Sequence, residues 1–244
     1  MRLVRGSYGP LLIGVAGAAA IVFADANIDK LIENVRWGIF FNAGQVCSAM
    51  SRLLVEDSIH DEVFGRVAEL AESLSVGPGI ERPEFGANMG SMISAAQRDR
   101  AAAMCREAET QGAVIGYGGK KLDGDGFFFE PTVFGNVSRE MQIAREEVFG
   151  PVLAVTRFET DAEALQIANA TDYGLVSGVF TRDIDHATHV AKNIKAGQVF
   201  VNEWYAGGVE TPFGGYGKSG YGREKGREAL WNYVQTKNIA IKLT

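Results

Sequence analysis

Cysteine is scarce in this sequence. Only Cys47 and Cys105 occur among 244 residues, which excludes the disulfide framework of a small secreted domain. Reduced thiols fit the cytoplasm, and that is the localisation we expect. An excess of basic residues is also missing, since the formal net charge is −6. The composition therefore argues against nucleic acid and against an anionic membrane surface as partners.

Long apolar runs are lacking as well. The apolar run over residues 11–23 is shorter than the roughly 20 residues that a membrane-spanning helix needs, so we expect no membrane span. Because Arg2 and Arg5 precede this run, it has the layout of a secretory signal peptide. The alternative is a buried strand over residues 20–23. We favour the strand, because the two unpaired cysteines fit the cytosol.

The sequence does contain the alternating pattern of an α/β protein. Hydrophobic residues make up 46% of the chain, enough for a substantial core. Asn27 and Ser58, the latter with Asp61 three residues on, are predicted helix N-caps. Helical spacing of apolar residues predicts further helices at 93–110, 161–170 and 184–194. Strands are predicted at 20–23, 52–55, 127–134 (extended), 152–158, 175–181 and 199–201, a final strand at 237–243, and a glycine-rich loop at 116–126. Strands alternating with helices predict a mostly parallel open sheet flanked by helices.

Residues 40–48, Phe-Phe-Asn-Ala-Gly-Gln-Val-Cys-Ser, are the most informative stretch. A helix is expected to end near Phe41, and a glycine-containing turn then leads to Cys47. A thiol on such a turn can be ringed by backbone N–H donors, which would lower its pKa and stabilise an oxyanion. The alternative is an inert cysteine, since cysteine is among the most buried residue types. These residues alone favour neither interpretation.

This stretch resembles the active-site motif of the NAD(P)-dependent aldehyde dehydrogenases, and further segments resemble that family's other motifs in the same order. They are Glu-Glu-Val-Phe-Gly-Pro at 146–151, Tyr-Gly-Leu at 173–175 with Val-Phe-Thr at 179–181, Val-Asn at 201–202, Pro-Phe-Gly-Gly at 212–215, Lys-Ser-Gly at 218–220 and Gly-Arg-Glu at 222–224. The resemblance runs from about Ile21 to the C-terminus. It implies the catalytic domain of an aldehyde dehydrogenase.

The resemblance also implies roles for individual residues. Cys47 matches the nucleophile that forms a thiohemiacetal and then a thioester, while hydride passes to NAD or NADP. Glu147 matches the glutamate that holds the nicotinamide ribose, and Phe149 lies at the same end of the cofactor. Glu224 matches a proton-relaying glutamate, although a surface salt bridge is an equal alternative. The implied substrate is a small-molecule aldehyde, in a pocket that includes Phe41, Trp204 and Phe213; Trp204 and its neighbour Tyr205 could equally be packing residues.

Two departures from the family pattern bear on activity. The family carries a Glu-Leu-Gly-Gly segment with the deacylating base before the strand at 20–23, but no carboxylate lies between Met1 and Phe23. The nucleotide-binding domain is also expected upstream. We therefore expect an atypical N-terminal segment at 1–20, a catalytic domain at 21–234 and a C-terminal strand at 235–244 through which the chain could form homo-oligomers. We expect the isolated chain to be inactive.

Two other functional classes compete with the enzyme. One is a folded, non-catalytic remnant of the family that acts only through protein contacts. The other is a cysteine hydrolase, which needs a base near Cys47 that the sequence cannot locate. Gly-x-Gly-x-x-Gly at 215–220 matches a dinucleotide-binding pattern but does not directly follow a strand. His186 and His189 have no third ligand nearby in sequence, so we expect no metal site.

Overall fold

The structure, a computed structural model, describes residues 18–79 and 88–243. Most of the run with signal-peptide layout lies outside these residues. The strands are β1 (Ala19–Val22), β2 (Arg52–Glu56), β3 (Ser75–Val76), β4 (Asn88–Met89), β5 (Val114–Tyr117), β6 (Thr132–Gly135), β7 (Val152–Phe158), β8 (Tyr173–Gly174), β9 (Val176–Phe180), β10 (Gln198–Val201) and β11 (Tyr216–Gly217). The helices are α1 (Ile28–Val35), α2 (Asp57–Ser73), α3 (Ala95–Thr110), α4 (Gln142–Arg145), α5 (Asp161–Ala168) and α6 (Ile184–Asn193).

Seven of these strands form one open sheet in the order β10-β9-β1-β2-β7-β6-β5. Every neighbouring pair is parallel except β5 and β6, which pair antiparallel. The order places β1 and β2 in the centre, where buried strands read as continuous apolar runs. The predicted mostly parallel open sheet is confirmed.

Helices cover both faces of the sheet. On one face, β1 side chains such as Ala20 and Val22 pack with apolar residues of α1, α2 and α3. On the other face, Ile21 of β1 packs with residues of α5 and α6. This division follows from the alternation of side chains along a strand. Among the described residues, no helix has both the length and the apolar character that crossing a membrane would require.

Most predicted helix starts agree with the structure. Asn27 caps α1, because its side chain accepts a hydrogen bond from Lys30 N at 3.2 Å. The cap predicted at Ser58 is wrong. The helix α2 already begins at Asp57, with Glu56 at the N-cap and no side-chain cap bond. Asp61 bonds His60 and Arg157 instead of closing the helix end.

The loop predicted at 116–126 is also partly wrong, since β5 extends to Tyr117 and includes Gly116. The residues on either side of Gly116, Ile115 and Tyr117, pair with β6, with a register shift between them. A Cβ on Gly116 would lie 2.8 Å from the tip of the Phe64 ring of α2, so glycine suits the close packing of this strand on the helix. The extended stretch predicted at 127–134 becomes β6 only from Thr132, with an isolated bridge between Lys121 and Phe129.

The C-terminal stretch 234–243 forms no strand within the described chain. Its apolar side chains are open to solvent, with Ile239 72% and Leu243 89% exposed. The proposed pairing of this stretch with a second chain stays a prediction.

Candidate active site

Cys47 follows an unusual turn at the end of α1. The helix continues into a π-helical turn, Arg36–Phe40, and a 3-10 turn, Phe41–Gly44. Asn42 and Ala43 both have φ of 51°, in the left-handed region that few side chains adopt. Reciprocal bonds hold this conformation: Asn42 Nδ2 donates to Gln45 O at 3.1 Å, and Gln45 Nε2 donates to Asn42 O at 3.2 Å. The turn is thus fixed by its own amide side chains.

Sheet topology brings this turn to the segment that contains Glu147. The strands β2 and β7 are parallel neighbours, and the chain passes through Cys47 just before β2 and through Glu147 just before β7. Both segments therefore meet at the amino edge of the sheet. The contact is close at Gly44, where a Cβ would lie 2.1 Å from Gly150 O.

The helix α3 holds the backbone of residues 147–149. Arg100 Nη1 donates to Glu147 O at 3.0 Å and to Val148 O at 2.9 Å. Gln97 Nε2 donates at 2.9 Å to Val148 O and to Phe149 O. Phe149 has φ of 55°, so these bonds support a backbone conformation that is unfavourable for phenylalanine. Sequence reasoning missed Gln97 and Arg100, because their spacing identified only a helix face.

The electrostatics of Cys47 differ from our expectation. The thiol is half-buried, and its pKa is raised chiefly by burial and then by the Glu147 charge, with a further contribution from Glu224. The backbone N–H groups of Cys47 and Ser48 lower the pKa but do not prevail. The N–H donors thus act in the expected direction, but burial and the two carboxylates outweigh them. Cys105 is 1% exposed, and burial raises its pKa to about 12.

Trp204 is a buried side chain that contacts the segment carrying Cys47. Its indole Nε1 donates to Ser48 O at 3.0 Å, and its backbone N donates to Asn34 Oδ1. The ring covers β9 at Gly178, where a Cβ would lie 2.6 Å from it. Only 4% of Trp204 is exposed, so its contacts are mainly those of a packing residue. They tie the segment after β10 to the segment that carries Cys47.

Two cavities flank the 41–47 segment. The first, of about 560 Å³, has Phe41, Val46, Trp204 and Tyr205 in its wall. The second, of about 540 Å³, is lined in part by Asn42, Gln45 and Phe149. Two of the three predicted pocket residues, Phe41 and Trp204, thus share one cavity, and Phe149 lies in the other.

Phe213 and Glu224 meet through their backbones. Each backbone N donates to the other's carbonyl at 2.7 Å, and Lys225 Nζ lies 5.6 Å from the centre of the Phe213 ring. Phe213 packs against the same core as Cys47, but it is not among the residues that line the 560 Å³ cavity. Glu224 is close enough for its charge to raise the pKa of Cys47.

His186, where we expected no metal site, bonds Asp161 at 2.7 Å.

The described residues thus combine an open, mostly parallel sheet with a half-buried thiol, two glutamates whose charges act on that thiol and two cavities beside the 41–47 segment. These features define an α/β protein with a candidate cysteine-based active site. Comparison with known proteins identifies the family. Residues 11–239 match the aldehyde dehydrogenase family, and the chain belongs to that family. The match begins inside the segment 1–20, and our domain boundaries remain predictions.

Individual relatives agree with this assignment. The chain is 41% identical to cytosolic aldehyde dehydrogenase 1 of Mus musculus over 224 residues, which cover 92% of this chain and 44% of the relative. It is 42% identical to retinal dehydrogenase 2 of Gallus gallus, with 91% of this chain and 42% of the relative covered. The chain thus spans less than half the length of these relatives.

Solved structures agree as well. A betaine aldehyde dehydrogenase point mutant of Staphylococcus aureus, solved in complex with NAD+, superposes with a TM-score of 0.86 at 40% identity, covering 91% of this chain and 45% of that one. An NAD-dependent aldehyde dehydrogenase of Sinorhizobium meliloti has the same TM-score at 37% identity, covering 91% of this chain and 44% of that one. NAD(P) is accordingly the cofactor of the family.

Proposed function

We propose that this chain is the catalytic domain of an aldehyde dehydrogenase, in which Cys47 attacks the aldehyde and the acid is released from a thioester. The observation that carries the proposal is the position of Cys47. Its thiol is half-buried, Val46 beside it lines one cavity and Gln45 the other, and two carboxylates lie within electrostatic range. Cys47 is not itself among the residues that line either cavity, but it directly follows residues of both walls, so a substrate in the first cavity and a hydride acceptor in the second would both lie near this segment.

The first step is addition of the Cys47 thiolate to the carbonyl carbon. A C–S bond forms, and the carbonyl oxygen takes the electron pair of its π bond. The backbone N–H of Cys47 is suited to bond this oxyanion. Because burial and Glu147 raise the pKa of Cys47, the thiol needs a base to accept its proton. Glu224 is our candidate for relaying that proton.

The residues present fit the nicotinamide end of NAD(P). Phe149 lines the 540 Å³ cavity, and Glu147, 7% exposed, has its backbone fixed from α3. We assign Glu147 to the ribose and Phe149 to the face of the ring. When bound there, NAD(P) supplies the two-electron acceptor that turns the thiohemiacetal into a thioester. Hydrolysis of the thioester then frees Cys47 and the carboxylic acid.

We further propose that a polypeptide of these 244 residues, purified alone, does not turn over. A micromolar dissociation constant requires about 8 kcal/mol, more than contacts at the nicotinamide end supply. A thioester without a well-placed general base should also persist, since such a base typically contributes a rate factor of about 10²–10⁴. Acylation of Cys47 should therefore stop after one equivalent.

The test is acylation by a chromogenic activated ester. We expect a burst of up to one equivalent of leaving group per chain and little turnover afterwards. The burst should survive in Cys105→Ala and disappear in Cys47→Ala. Absence of a burst in folded parent protein, together with equally slow alkylation of both cysteines by iodoacetamide, would favour the non-catalytic remnant. Steady NADH formation from an aldehyde would contradict only the proposed inactivity of the isolated polypeptide.

A further inference from the structure

Cys47 occupies a central position of a tight backbone turn over residues 46–49. The bond from Ala49 N to Val46 O, 2.9 Å long, closes this turn, so Cys47 and Ser48 are its two central residues. Their backbone N–H groups favour the thiolate, against burial and the carboxylate charges. Backbone donors support an anion only while their direction is fixed. The reactivity of Cys47 therefore depends on what holds the 46–49 turn.

A side chain from a distant part of the sequence binds this turn. The indole Nε1 of Trp204 donates to Ser48 O at 3.0 Å, and both residues are buried. If the Ser48 carbonyl rotated away, a buried donor and a buried acceptor would lose their partner, which costs free energy. The bond thus restricts the backbone of the residue directly after Cys47.

The indole itself is held from two other elements. The backbone N of Trp204 donates to Asn34 Oδ1 of α1. Its ring covers Gly178 of β9, where a Cβ would lie 2.6 Å from it, and it also lies beside Gly38, where a Cβ would lie 3.4 Å from it. A side chain in such dense surroundings keeps one rotamer. The core therefore determines the direction of the N–H that binds the 46–49 turn.

The same side chain faces the cavity that we assign to the substrate. Trp204 is part of the wall of the 560 Å³ cavity, so an aldehyde bound there would lie against the residue that holds the turn. A buried indole N–H needs an acceptor wherever it lies. Here its acceptor belongs to the turn that carries the nucleophile, which gives the bond a consequence beyond packing.

We propose that Trp204 is a positioning residue for Cys47, whose indole N–H holds the 46–49 turn so that the backbone donors of Cys47 and Ser48 stay directed at the thiolate. The inference rests on the proposed function of Cys47 as nucleophile. It goes beyond that function because it assigns part of the reactivity of the thiol to a side chain about 150 positions away.

The test is the pH profile of Cys47 alkylation by iodoacetamide in the full chain, in a Cys105→Ala background. Trp204→Phe removes the indole N–H and keeps an aromatic ring, and Trp231→Phe, at a 72% exposed site, is the matched control. In Trp204→Phe we expect the profile to move to higher pH, because donors that are no longer held stabilise the thiolate less. At a fixed pH below the midpoint, the rate should fall about three- to tenfold, the scale of one neutral hydrogen bond.

A second variant leaves the indole in place. Asn34→Ala removes the acceptor of the Trp204 backbone N, together with the bond from Asn34 Nδ2 to Lys30 O at 2.8 Å. Asn193→Ala is its matched control, because Asn193 Nδ2 makes the same bond to His189 O, also four residues back and 2.8 Å long. Asn34→Ala should move the profile in the same direction as Trp204→Phe, whereas Asn193→Ala should leave it unmoved.

A merely structural role of Trp204 would give the opposite result. Loosened packing would let water reach the thiol, and since burial is the largest cause of its raised pKa, the profile would move to lower pH. A profile that moves to lower pH or stays unmoved in either variant would overturn the inference. If Trp204→Phe does not fold, Asn34→Ala decides alone. The proposed function survives such a result if Cys47 still reacts well ahead of Cys105 in the parent, and it fails as well if Cys47 has no such advantage.

Discussion

Gly44 illustrates how a single residue can connect two motifs that lie far apart in sequence. Its φ of +68° favours glycine, and a Cβ there would lie 2.1 Å from Gly150 O. Both the conformation and the space exclude a side chain. The turn before Cys47 and the segment after Glu147 can therefore approach only if this position stays glycine.

We predict that Gly44→Ala lowers the free energy of unfolding by at least about 2 kcal/mol, the combined scale of a strained backbone and a displaced neighbour. Gly65 in α2 is the matched control, because a Cβ there meets nothing within 4 Å. Gly65→Ala should stabilise the protein by about 0.5–1 kcal/mol. Urea unfolding measures both variants. Equal effects of the same sign would show that the close contact at Gly44 is not present in solution.

His60 provides a second prediction at the scale of one residue. It is 3% exposed, its ring stacks on Phe64, and burial lowers its pKa despite the bond to Asp61. The unfolded chain therefore binds a proton here more readily than the folded chain. Stability should be complete above the ordinary histidine pKa of about 6.5 and should decline as the pH falls towards the folded value.

Replacement of His60 by leucine should flatten this decline between about pH 6.5 and 5. Each unit of pKa difference corresponds to about 1.4 kcal/mol, which sets the scale of the effect. Urea unfolding at a series of pH values is the measurement, and His189→Leu, at an exposed site in α6, is the control. An unchanged pH dependence in His60→Leu would mean that the buried imidazole is not the group responsible.

At the scale of elements, Arg52 joins β2 to the end of α5. Its guanidinium donates to Ile167 O and Ala168 O, both at 3.2 Å, at the C-terminal end of α5, where the last carbonyls have no partner one full turn ahead; Ile167 O also accepts from Ala170 N at 3.3 Å. Burial lowers the pKa of Arg52 to about 10, so the group remains charged at neutral pH. Its positive charge also suits the helix C-terminus.

We predict that Arg52→Met costs about 2 kcal/mol of unfolding free energy, because charged donors to buried carbonyls are worth about 1.5–3 kcal/mol. Arg157→Met, which removes a solvent-exposed bridge to Asp57 and Asp61, should cost about 1 kcal/mol or less. Urea unfolding compares the two variants. A smaller loss at Arg52 than at Arg157 would contradict the capping role.

The sequence predicted elements well where one periodicity dominated. The strand at 152–158 agrees with β7 residue for residue, and α1 began at its predicted cap. Errors occurred where contacts distant in sequence accompany the difference. Gly116 belongs to β5 because the residues on either side of it pair with β6, and glycine composition alone cannot indicate such pairing. The helix α2 starts at Asp57 rather than after Ser58, and both Asp57 and Asp61 bond Arg157, a partner distant in sequence.

The sequence motifs predicted residues of the candidate site, but the sequence did not predict the electrostatics of that site or the hydrogen bonds that support it. The resemblance identified Cys47 and Glu147, and the structure places their charges within range of each other. The direction of the Cys47 pKa shift was not predictable, because burial is a property of the fold. The positions of Gln97 and Arg100 could not be inferred either, since their bonds reach residues about 50 positions away.

At the scale of the whole molecule, the site follows from strand order. Since β2 and β7 are adjacent and parallel, segments that precede them in sequence must meet at one edge. The segment after β10 reaches the same place through Trp204 and its bond to Ser48. Three regions of the chain thus supply the thiol, the glutamate and the buried indole.

The C-terminal stretch does not pair with the seven-stranded sheet of the described chain. Residues 234–243 form no strand, and Ile239, Ile241 and Leu243 are 72%, 79% and 89% exposed. Side chains that alternate in this way fit one face of an extended strand. Exposed extended segments with open backbone groups tend to find partners. We therefore predict that the chain self-associates through this stretch.

Deletion of residues 235–244 should abolish concentration-dependent association in sedimentation experiments. It should change the unfolding free energy of the monomer by no more than about 0.5 kcal/mol, because exposed residues contribute little. In the full-length chain, the double variant Ile239→Lys and Ile241→Lys should have the same effect, since charges block edge pairing. Association that survives both changes would exclude the tail as the interface between chains. It would favour β5, the antiparallel edge strand, as the interface instead. A large loss of monomer stability on deletion would mean that the tail packs within its own chain, against the prediction.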